Sequence, residues 1–149
     1  MKRNLMGFAV WAAVYIGAMA ANLGSFWMGD AAAAGQLAVT ALYAAVLLLL
    51  LWLVRNSRRW LGHGFFWGIA AVAGGVFCLL ARQGVPWAAI PGLILGGALF
   101  TPFYGLTCLV ILEDWDVFYA AMLALSVVWT AVCALLLWRW KRKANEAES

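Results

Sequence analysis

The stretch "PGLILGGALFTPFYG", residues 91–105, decides how this chain is arranged. It holds two prolines and four glycines inside the longest apolar run of the second half of the chain. A helix in water does not tolerate this mixture, because proline lacks an amide donor and glycine adds backbone freedom. The stretch is therefore either a kinked membrane span or a hairpin that enters and leaves on one side. The choice decides which side of a membrane the basic C-terminus occupies.

The composition of the chain is typical of a membrane protein. Hydrophobic residues make up 67% of the 149 residues and charged residues 11%, which leaves more apolar surface than a soluble domain of this length can bury. The charges lie between five apolar stretches of about 17 to 25 residues, close to the length that a helix needs to cross a bilayer. These stretches lack the alternation of strands. The sequence therefore predicts an all-α, polytopic transmembrane helical bundle with five membrane-embedded segments.

The chain is interpreted as one transmembrane domain, residues 1–140, followed by a solvated basic and polar tail, residues 141–149. Its start resembles a secretory signal peptide, but the apolar run is longer than in a normal signal and four more runs follow. We therefore expect the start to be the first span. The predicted segments are 5–28, 36–54, 65–81, 87–112 and 117–138.

A re-entrant hairpin at about 87–112 would give four crossings and a strongly oriented protein. Nine basic residues would then share one side of the membrane, and only Arg82 would lie on the other. An excess of Lys and Arg is typical of the cytoplasmic side, so this arrangement would have a clear orientation. The nine residues are Lys2, Arg3, Arg55, Arg58, Arg59, Arg139, Lys141, Arg142 and Lys143.

A kinked span would instead give five crossings and five basic residues on each side. Local physics favours this alternative, because about 25 helical residues rise roughly 38 Å, whereas two short hairpin arms would need burial in protein. Pro102 is the predicted kink, since its ring leaves the Ala98 carbonyl without its helical partner. That carbonyl must then meet a side chain, a water or a ligand, and Thr101 and Tyr104 are nearest in sequence.

Small residues recur every four positions on three segments and place a smooth stripe on one face of each helix. Such a stripe lets another backbone approach closely, and we predict helix packing at Gly17, Gly74, Gly92 and Gly96. The packing partner, within the chain or in another subunit, stays open. The rows are Ala13, Gly17 and Ala21, then Ala70 with Gly74 and Ala71 with Gly75, then Ala88, Gly92 and Gly96.

Few polar side chains lie within the apolar segments. Four of them are the predicted contacts for a solute: Asn22, Thr101, Tyr104 and Thr107. Asn22 is the most informative, because a lone amide in lipid needs a partner. The alternative for Asn22 is a structural hydrogen bond between helices.

The sequence contains no set of residues that would support catalysis. A serine–histidine–acid set, a phosphate-binding loop and metal-ligand spacing are all missing. We therefore predict no enzyme, no catalytic residue, no metal and no cofactor. The acidic cluster Glu113, Asp114 and Asp116 is interpreted as a tight turn in which Asp116 caps the last helix, and not as a cation site.

These features predict a small oligomeric transporter or permease for a neutral or weakly polar solute, because broken helices often line the binding sites of transporters. The layout of few spans and short loops resembles that of half-size drug/metabolite transporters. The membrane glutamate of the small multidrug members is missing from the first span here. The alternative is a non-catalytic accessory or assembly subunit of a larger membrane complex.

The predicted partners are the lipid bilayer and either further copies of the chain or other membrane subunits, without nucleic acid. An antiparallel dimer follows from the even charge balance of five crossings, since a protein without orientation bias can insert both ways. The basic patches at the span ends are interpreted as topology signals, with attraction to anionic lipid as the alternative. The predicted location is the bacterial cytoplasmic (inner) membrane.

Overall fold

The computed structural model describes residues 2–55, 57–109 and 114–148, and these ranges contain helices and no strand. In chain order the helices are α1 (Lys2–Met28), α2 (Ala34–Val54), α3 (Arg58–Arg82), a short 3₁₀ turn (Pro86–Ala88), α4 (Ala89–Phe100), a 3₁₀ helix (Thr101–Cys108) and α5 (Trp115–Glu148). Five segments are long and apolar enough to cross a membrane, the fourth being Pro86–Cys108. The prediction of an all-α bundle is confirmed, and the chain is an integral membrane protein.

Two glycines end helices where the chain must turn. Gly29 follows α1 with a φ of 72°, and Gly84 follows α3 with a φ of 82°. Residues with a side chain rarely adopt this left-handed conformation, so glycine ends a helix here at the lowest cost. The connector after Gly29 leads into α2 through a capping contact, in which the Gln36 side chain accepts a hydrogen bond from the Ala33 amide at 2.7 Å.

Helices α3 and α5 pack antiparallel along their length. At one end of this pair Arg82 Nε donates to Asp116 Oδ1 at 2.8 Å. At the other end the guanidinium carbon of Arg58 lies 5.5 Å from the ring centroid of Trp140. The start of α5 therefore lies at the same end of the bundle as the end of α3. The glycines of α3 that face α5 closely are Gly64, Gly68 and Gly75.

Helix α4 runs back along α3 from the end marked by Arg82. A Cβ atom on Gly92 would lie 3.1 Å from the backbone of Phe77, and one on Gly74 would lie 3.0 Å from Leu95. Gly92 thus contacts α3 near its end, and Leu95, further along α4, contacts α3 nearer its middle. We call α4 the descending arm.

The 3₁₀ helix Thr101–Cys108 then runs in the opposite direction, and we call it the returning arm. The Pro102 carbonyl contacts Thr40, and three residues later Gly105 packs against Gln36, nearer the start of α2. Tyr104 reaches the carbonyl of Asp30, in the connector between α1 and α2. The returning arm therefore leads back to the end of the bundle from which the descending arm came.

The fourth segment is a re-entrant hairpin, so the favoured kinked span is wrong. The ion pair between Arg82 and Asp116 places both ends of the hairpin at the same end of the bundle, which leaves four crossings. Pro102 opens the returning arm and does not kink a continuous helix. A hairpin needs burial in protein, and 39% of the most apolar 18-residue stretch of this segment is buried, against 11% to 22% for the corresponding stretches of the other four. The surrounding helices cover the backbone groups that lipid could not satisfy.

The hairpin gathers nine of the ten basic residues at one end of the bundle. The acidic end is defined by Asp30, Asp114, Asp116 and Arg82. Helix α1 finishes there, since the Phe26 and Trp115 rings lie 5.6 Å apart between centroids. The opposite, basic end therefore holds the start of α1, the end of α2, the start of α3 and the end of α5. Its residues are Lys2, Arg3, Arg55, Arg58, Arg59, Arg139, Lys141, Arg142 and Lys143.

The bundle consists of two helix pairs that the hairpin joins. Helices α1 and α2 pack on each other, and α3 and α5 form the second pair. Among the described residues the two pairs have few direct backbone approaches, and they meet through side chains at the acidic end, where the Phe26 ring of α1 contacts the Trp115 ring of α5. The descending arm lies on α3 and the returning arm lies on α1 and α2. The turn of the hairpin is thus the main bridge between the two pairs.

Candidate functional site

A cluster of buried polar groups surrounds the start of the returning arm. Asn22 of α1 is 0% exposed and Thr40 of α2 is 1% exposed. Asn22 Nδ2 donates to the Pro102 carbonyl oxygen and to Thr40 Oγ1, both at 3.2 Å. The Thr40 hydroxyl donates to the same carbonyl at 2.9 Å. We call Asn22, Thr40 and Pro102 the tip cluster, in which two helices hold one backbone carbonyl of the hairpin.

One atom of the tip cluster has no hydrogen-bond partner within the described part of the chain, and this atom is Asn22 Oδ1. The orientation of the amide is fixed, because the Pro102 carbonyl can only accept and must therefore face Nδ2. The Thr40 proton is already used on the same carbonyl. A buried acceptor without a donor costs about 1–3 kcal/mol. Asn22 Oδ1 is therefore a buried acceptor whose hydrogen-bonding capacity no described residue meets.

The last carbonyl groups of α4 have no partner within the helix, and hydroxyl groups donate hydrogen bonds to two of them. The Thr101 hydroxyl donates to the Gly97 carbonyl at 2.6 Å, and the Tyr15 hydroxyl donates to the Ala98 carbonyl at 2.6 Å. The sequence predicted that the Ala98 carbonyl needs a partner but pointed to its neighbours Thr101 and Tyr104. The partner comes from α1, 83 residues away, so no local signal could identify it.

Tyr104 and Thr107 fasten the returning arm at the acidic end. The Tyr104 hydroxyl donates to the Asp30 carbonyl at 3.0 Å, and the Thr107 hydroxyl donates to the Tyr104 carbonyl at 2.8 Å. Both residues are buried. The Tyr104 ring also packs, at centroid distances of 5.3 to 5.7 Å, against three rings: Phe26, Trp115 and Phe118.

The four predicted solute contacts thus occupy different places. Asn22 belongs to the tip cluster, and Thr101 adjoins it through Pro102, while Tyr104 and Thr107 lie in the part of the returning arm that leads to the acidic end. Thr40 completes the cluster and was not among the predicted residues. Its signal in the sequence is the same as that of Asn22, a single polar side chain in an apolar helix.

A close approach at Gly105 presses the returning arm onto α2. A Cβ atom at this position would overlap the backbone of Gln36 and the Thr40 hydroxyl, so only glycine fits without movement of α2. Gln36 is itself held by α1, because its Nε2 donates to the Ala21 carbonyl and to Ser25 Oγ, both at 2.9 Å. Side-chain patterns in the sequence gave no sign of this contact.

The predicted packing glycines divide into two groups. Gly74, Gly92 and Gly96 lie where α3 meets α4, and a Cβ on Gly96 would come within 2.6 Å of Cys78 Sγ. Gly17 is exposed, and nothing among the described residues lies within 4 Å of its Cβ position. Gly17 therefore makes no helix contact inside the described chain, and its prediction stays open for contact with another subunit.

The acidic turn before α5 differs in detail from the prediction. The Asp114 carboxylate accepts a hydrogen bond from the Asp116 amide at 2.7 Å, so Asp114 caps α5. Asp116, the predicted cap, pairs with Arg82 instead. Glu113 lies outside the described residues. Within those residues no three His, Cys, Asp or Glu side chains come together as a metal ion would require.

The arrangement defines a helical integral membrane protein with four crossings and one re-entrant hairpin. Comparison of the chain with protein-family models, with curated proteins and with solved structures found no match. Inference about function therefore rests on the hairpin and on the polar atoms around its turn.

Proposed function

We propose that the protein is a permease for a small neutral or weakly polar solute, and that the tip cluster lies on the path of this solute. The observation that carries the proposal is the unpaired acceptor Asn22 Oδ1, buried beside a broken backbone inside the bundle. Non-helical backbone at membrane depth occurs where it is buried in protein or lines a water-filled path. Discontinuous segments of this kind form the binding sites of many transporters.

The chemistry of the tip cluster supports a neutral solute. Its members offer an amide, a hydroxyl and a backbone carbonyl, and none of the hydrogen bonds described among them involves a charged side chain. An ion without a counter-charge is costly in the apolar interior. A hydroxyl or amide group of a solute could donate to Asn22 Oδ1 without that cost.

The bridging of two helix pairs by the hairpin supports a rocking motion. The descending arm is fixed to α3 by close contacts at Gly92 and Gly96, and the returning arm is fixed to α2 at Gly105. A rotation of one pair against the other would therefore bend the chain between these contacts, next to Thr101. Rocking of one bundle against another around a fixed site is a general route to alternating access.

The charge distribution supports a single orientation in a bacterial inner membrane, with the basic end in the cytoplasm. Copies in a homo-oligomer would then be parallel, in contrast to the antiparallel dimer that five crossings would have favoured. Side-specific labelling tests this with Gln83→Cys at the acidic end and Lys141→Cys at the basic end, each with the natural cysteines replaced. An impermeant maleimide added to intact spheroplasts should label the first variant and not the second. Labelling of both at equal levels would contradict a single orientation.

Transport is tested with purified protein in liposomes and urea and glycerol as probes. Stopped-flow light scattering should show faster solute entry than in empty liposomes. Asn22→Leu should abolish the difference, because leucine has similar size but no acceptor. Ser126→Ala is the control, since it removes a buried hydroxyl of α5 outside the tip cluster and should retain entry. Equal rates for the natural protein and empty liposomes with both probes would count against the proposal.

An accessory or assembly subunit is the second candidate, and the surface of α1 favours it. Ala13, Gly17 and Ala21 are all exposed, and together they form a smooth row on which a helix of another subunit could lie. Native mass spectrometry after mild solubilisation tests this candidate. A second membrane protein in fixed ratio, lost in Gly17→Leu, would support it. A chain that migrates alone, or with copies of itself only, would oppose it.

A further inference from the structure

We infer that the basic end binds the phosphate headgroup of an anionic phospholipid, at a site shared by the start of α3 and the end of α5. The cations come from two chain segments about 80 residues apart, which antiparallel packing brings together. The guanidinium of Arg58 lies 5.5 Å from the ring centroid of Trp140, which directly joins the two segments. The exposed cations of the site are Arg58, Arg59, Arg139 and Lys141.

The positive charge of this site is not neutralised by the acidic side chains that the structure describes. Those side chains, Asp30, Asp114 and Asp116, all lie at the acidic end, and the first turn of α3 contains no acidic residue. At the acidic end, by contrast, Arg82 is paired with Asp116 at 2.8 Å. Arg142 has an interaction of its own and is not required by the site.

Tryptophans place the site at the depth of lipid headgroups. Trp52 at the end of α2 is 58% exposed and Trp138 near the end of α5 is 59% exposed. Exposed tryptophans at helix ends are typical of the boundary between hydrocarbon and headgroups, where the ring is amphipathic like its surroundings. The partner must therefore present phosphate in the membrane plane, which a phospholipid does and a soluble anion or nucleic acid does not.

Arginine dominates the site, and its chemistry matches phosphate. The planar guanidinium donates two parallel hydrogen bonds to a pair of phosphate oxygens, whereas lysine acts as a point charge. Each basic side chain near an anionic membrane surface contributes about fivefold in binding constant. A bound lipid would also hold the ends of α3 and α5 together, because it would contact cations on both. This inference does not depend on the protein's being a permease.

The experiment measures thermal unfolding by tryptophan fluorescence in nanodiscs of phosphatidylcholine, with and without 30% phosphatidylglycerol (about one lipid in three, an amount that gives a clear negative surface). Phosphatidylglycerol should raise the unfolding temperature of the natural protein. The double variant Arg58→Gln with Arg59→Gln should lose most of this rise. Native mass spectrometry should show that it binds phosphatidylglycerol about 25-fold more weakly than the natural protein. Arg82→Gln is the matched control at the other end and should keep the full rise.

Three outcomes would overturn the inference. The first is an unfolding temperature that is equal in the two lipid mixtures. The second is a loss of the rise in Arg82→Gln as large as in the double variant, which would indicate a general charge effect. The third is an equal rise with soluble glycerol phosphate in phosphatidylcholine nanodiscs, which would identify a site for free phosphate. Arg58→Lys with Arg59→Lys checks the role of guanidinium geometry and should give an intermediate rise.

Discussion

The fourth segment and α1 carry the same four-residue spacing of small residues but lie in different surroundings. In the fourth segment Gly92 and Gly96 press against α3, whereas in α1 Gly17 has nothing within 4 Å among the described residues. In their most apolar 18-residue stretches the buried share is 39% for the fourth segment and 11% for α1. The spacing therefore predicts a smooth face and leaves open what covers it.

Backbone continuity explains the difference between the two segments. Helix α1 is unbroken over Lys2–Met28, so its own hydrogen bonds satisfy its backbone and its surface can face lipid. The fourth segment changes from α-helix to 3₁₀ helix at Thr101 and reverses direction. Its free carbonyls need donors from other helices, and glycine lets those helices come close enough. The hairpin must therefore be surrounded by other helices, whereas α1 can face either another helix or lipid.

The largest expected effect is at Gly105. Gly105→Ala should destabilise the protein by about 3 kcal/mol or more, because the new methyl group would overlap the backbone of Gln36, which cannot rotate away. Thermal unfolding in detergent measures the change. Gly97→Ala is the matched control, since Gly97 is buried in the descending arm but has no described atom within 4 Å of its Cβ position. Similar stability of the two variants would contradict the close approach of the returning arm to α2.

Gly96→Leu should have a smaller but clear effect, a loss of about 2 kcal/mol. The side chain at this position would meet Cys78 Sγ, which can rotate, so part of the overlap can be relieved. Combining Gly96→Leu with Cys78→Ala should recover some stability because it removes the obstacle. No loss of stability in the single variant would mean that α4 does not pack on α3 through this face.

Pro102→Ala should cost about 1 kcal/mol, because alanine adds freedom to the unfolded chain and leaves space where the buried ring was. A kink in a continuous span would behave in the opposite way, since alanine would restore a helical hydrogen bond and stabilise the protein. Chemical denaturation in mild detergent separates the two cases by the sign of the change. A gain in stability would favour the kinked span and count against the hairpin.

The membrane class and the extent of the segments could be predicted from the sequence, because charges are confined to the segment ends. The return of the fourth segment was not predicted, since residues 101–108 contain no charge and no left-handed glycine that would mark a turn. One signal was nevertheless present. The hairpin gathers nine of the ten basic residues at one end, whereas the kinked span divides them equally. The distribution of basic residues between the two ends favours the hairpin, whereas the length of the fourth segment favoured the kinked span, and the charge distribution was the better predictor.

The candidate site was predicted in part, for a related reason. Asn22 could be identified because an amide in an apolar helix requires partners, and this requirement is visible in one segment alone. Thr40 and Tyr15 contribute through contacts with residues 62 and 83 positions away, which depend on the path of the hairpin. If the sequence is interpreted as five crossings, nothing in it indicates that these residues lie near one another.

The smallest expected effect on stability is at Gly17, the counterpart of Gly96 in the comparison. Gly17→Leu should leave the unfolding temperature of the isolated chain unchanged or slightly higher, because leucine is the better helix former by up to about 1 kcal/mol and meets no described atom. The same substitution should disturb any contact of α1 with another subunit, since a smooth face would become a ridge. Size-exclusion chromatography with light scattering, run beside the unfolding measurement, reads both properties. Loss of oligomer at unchanged stability would show that the α1 row is an interface between subunits. Unchanged oligomer size would mean that this face of α1 contacts lipid. A marked loss of stability would mean that another part of the same chain covers this face.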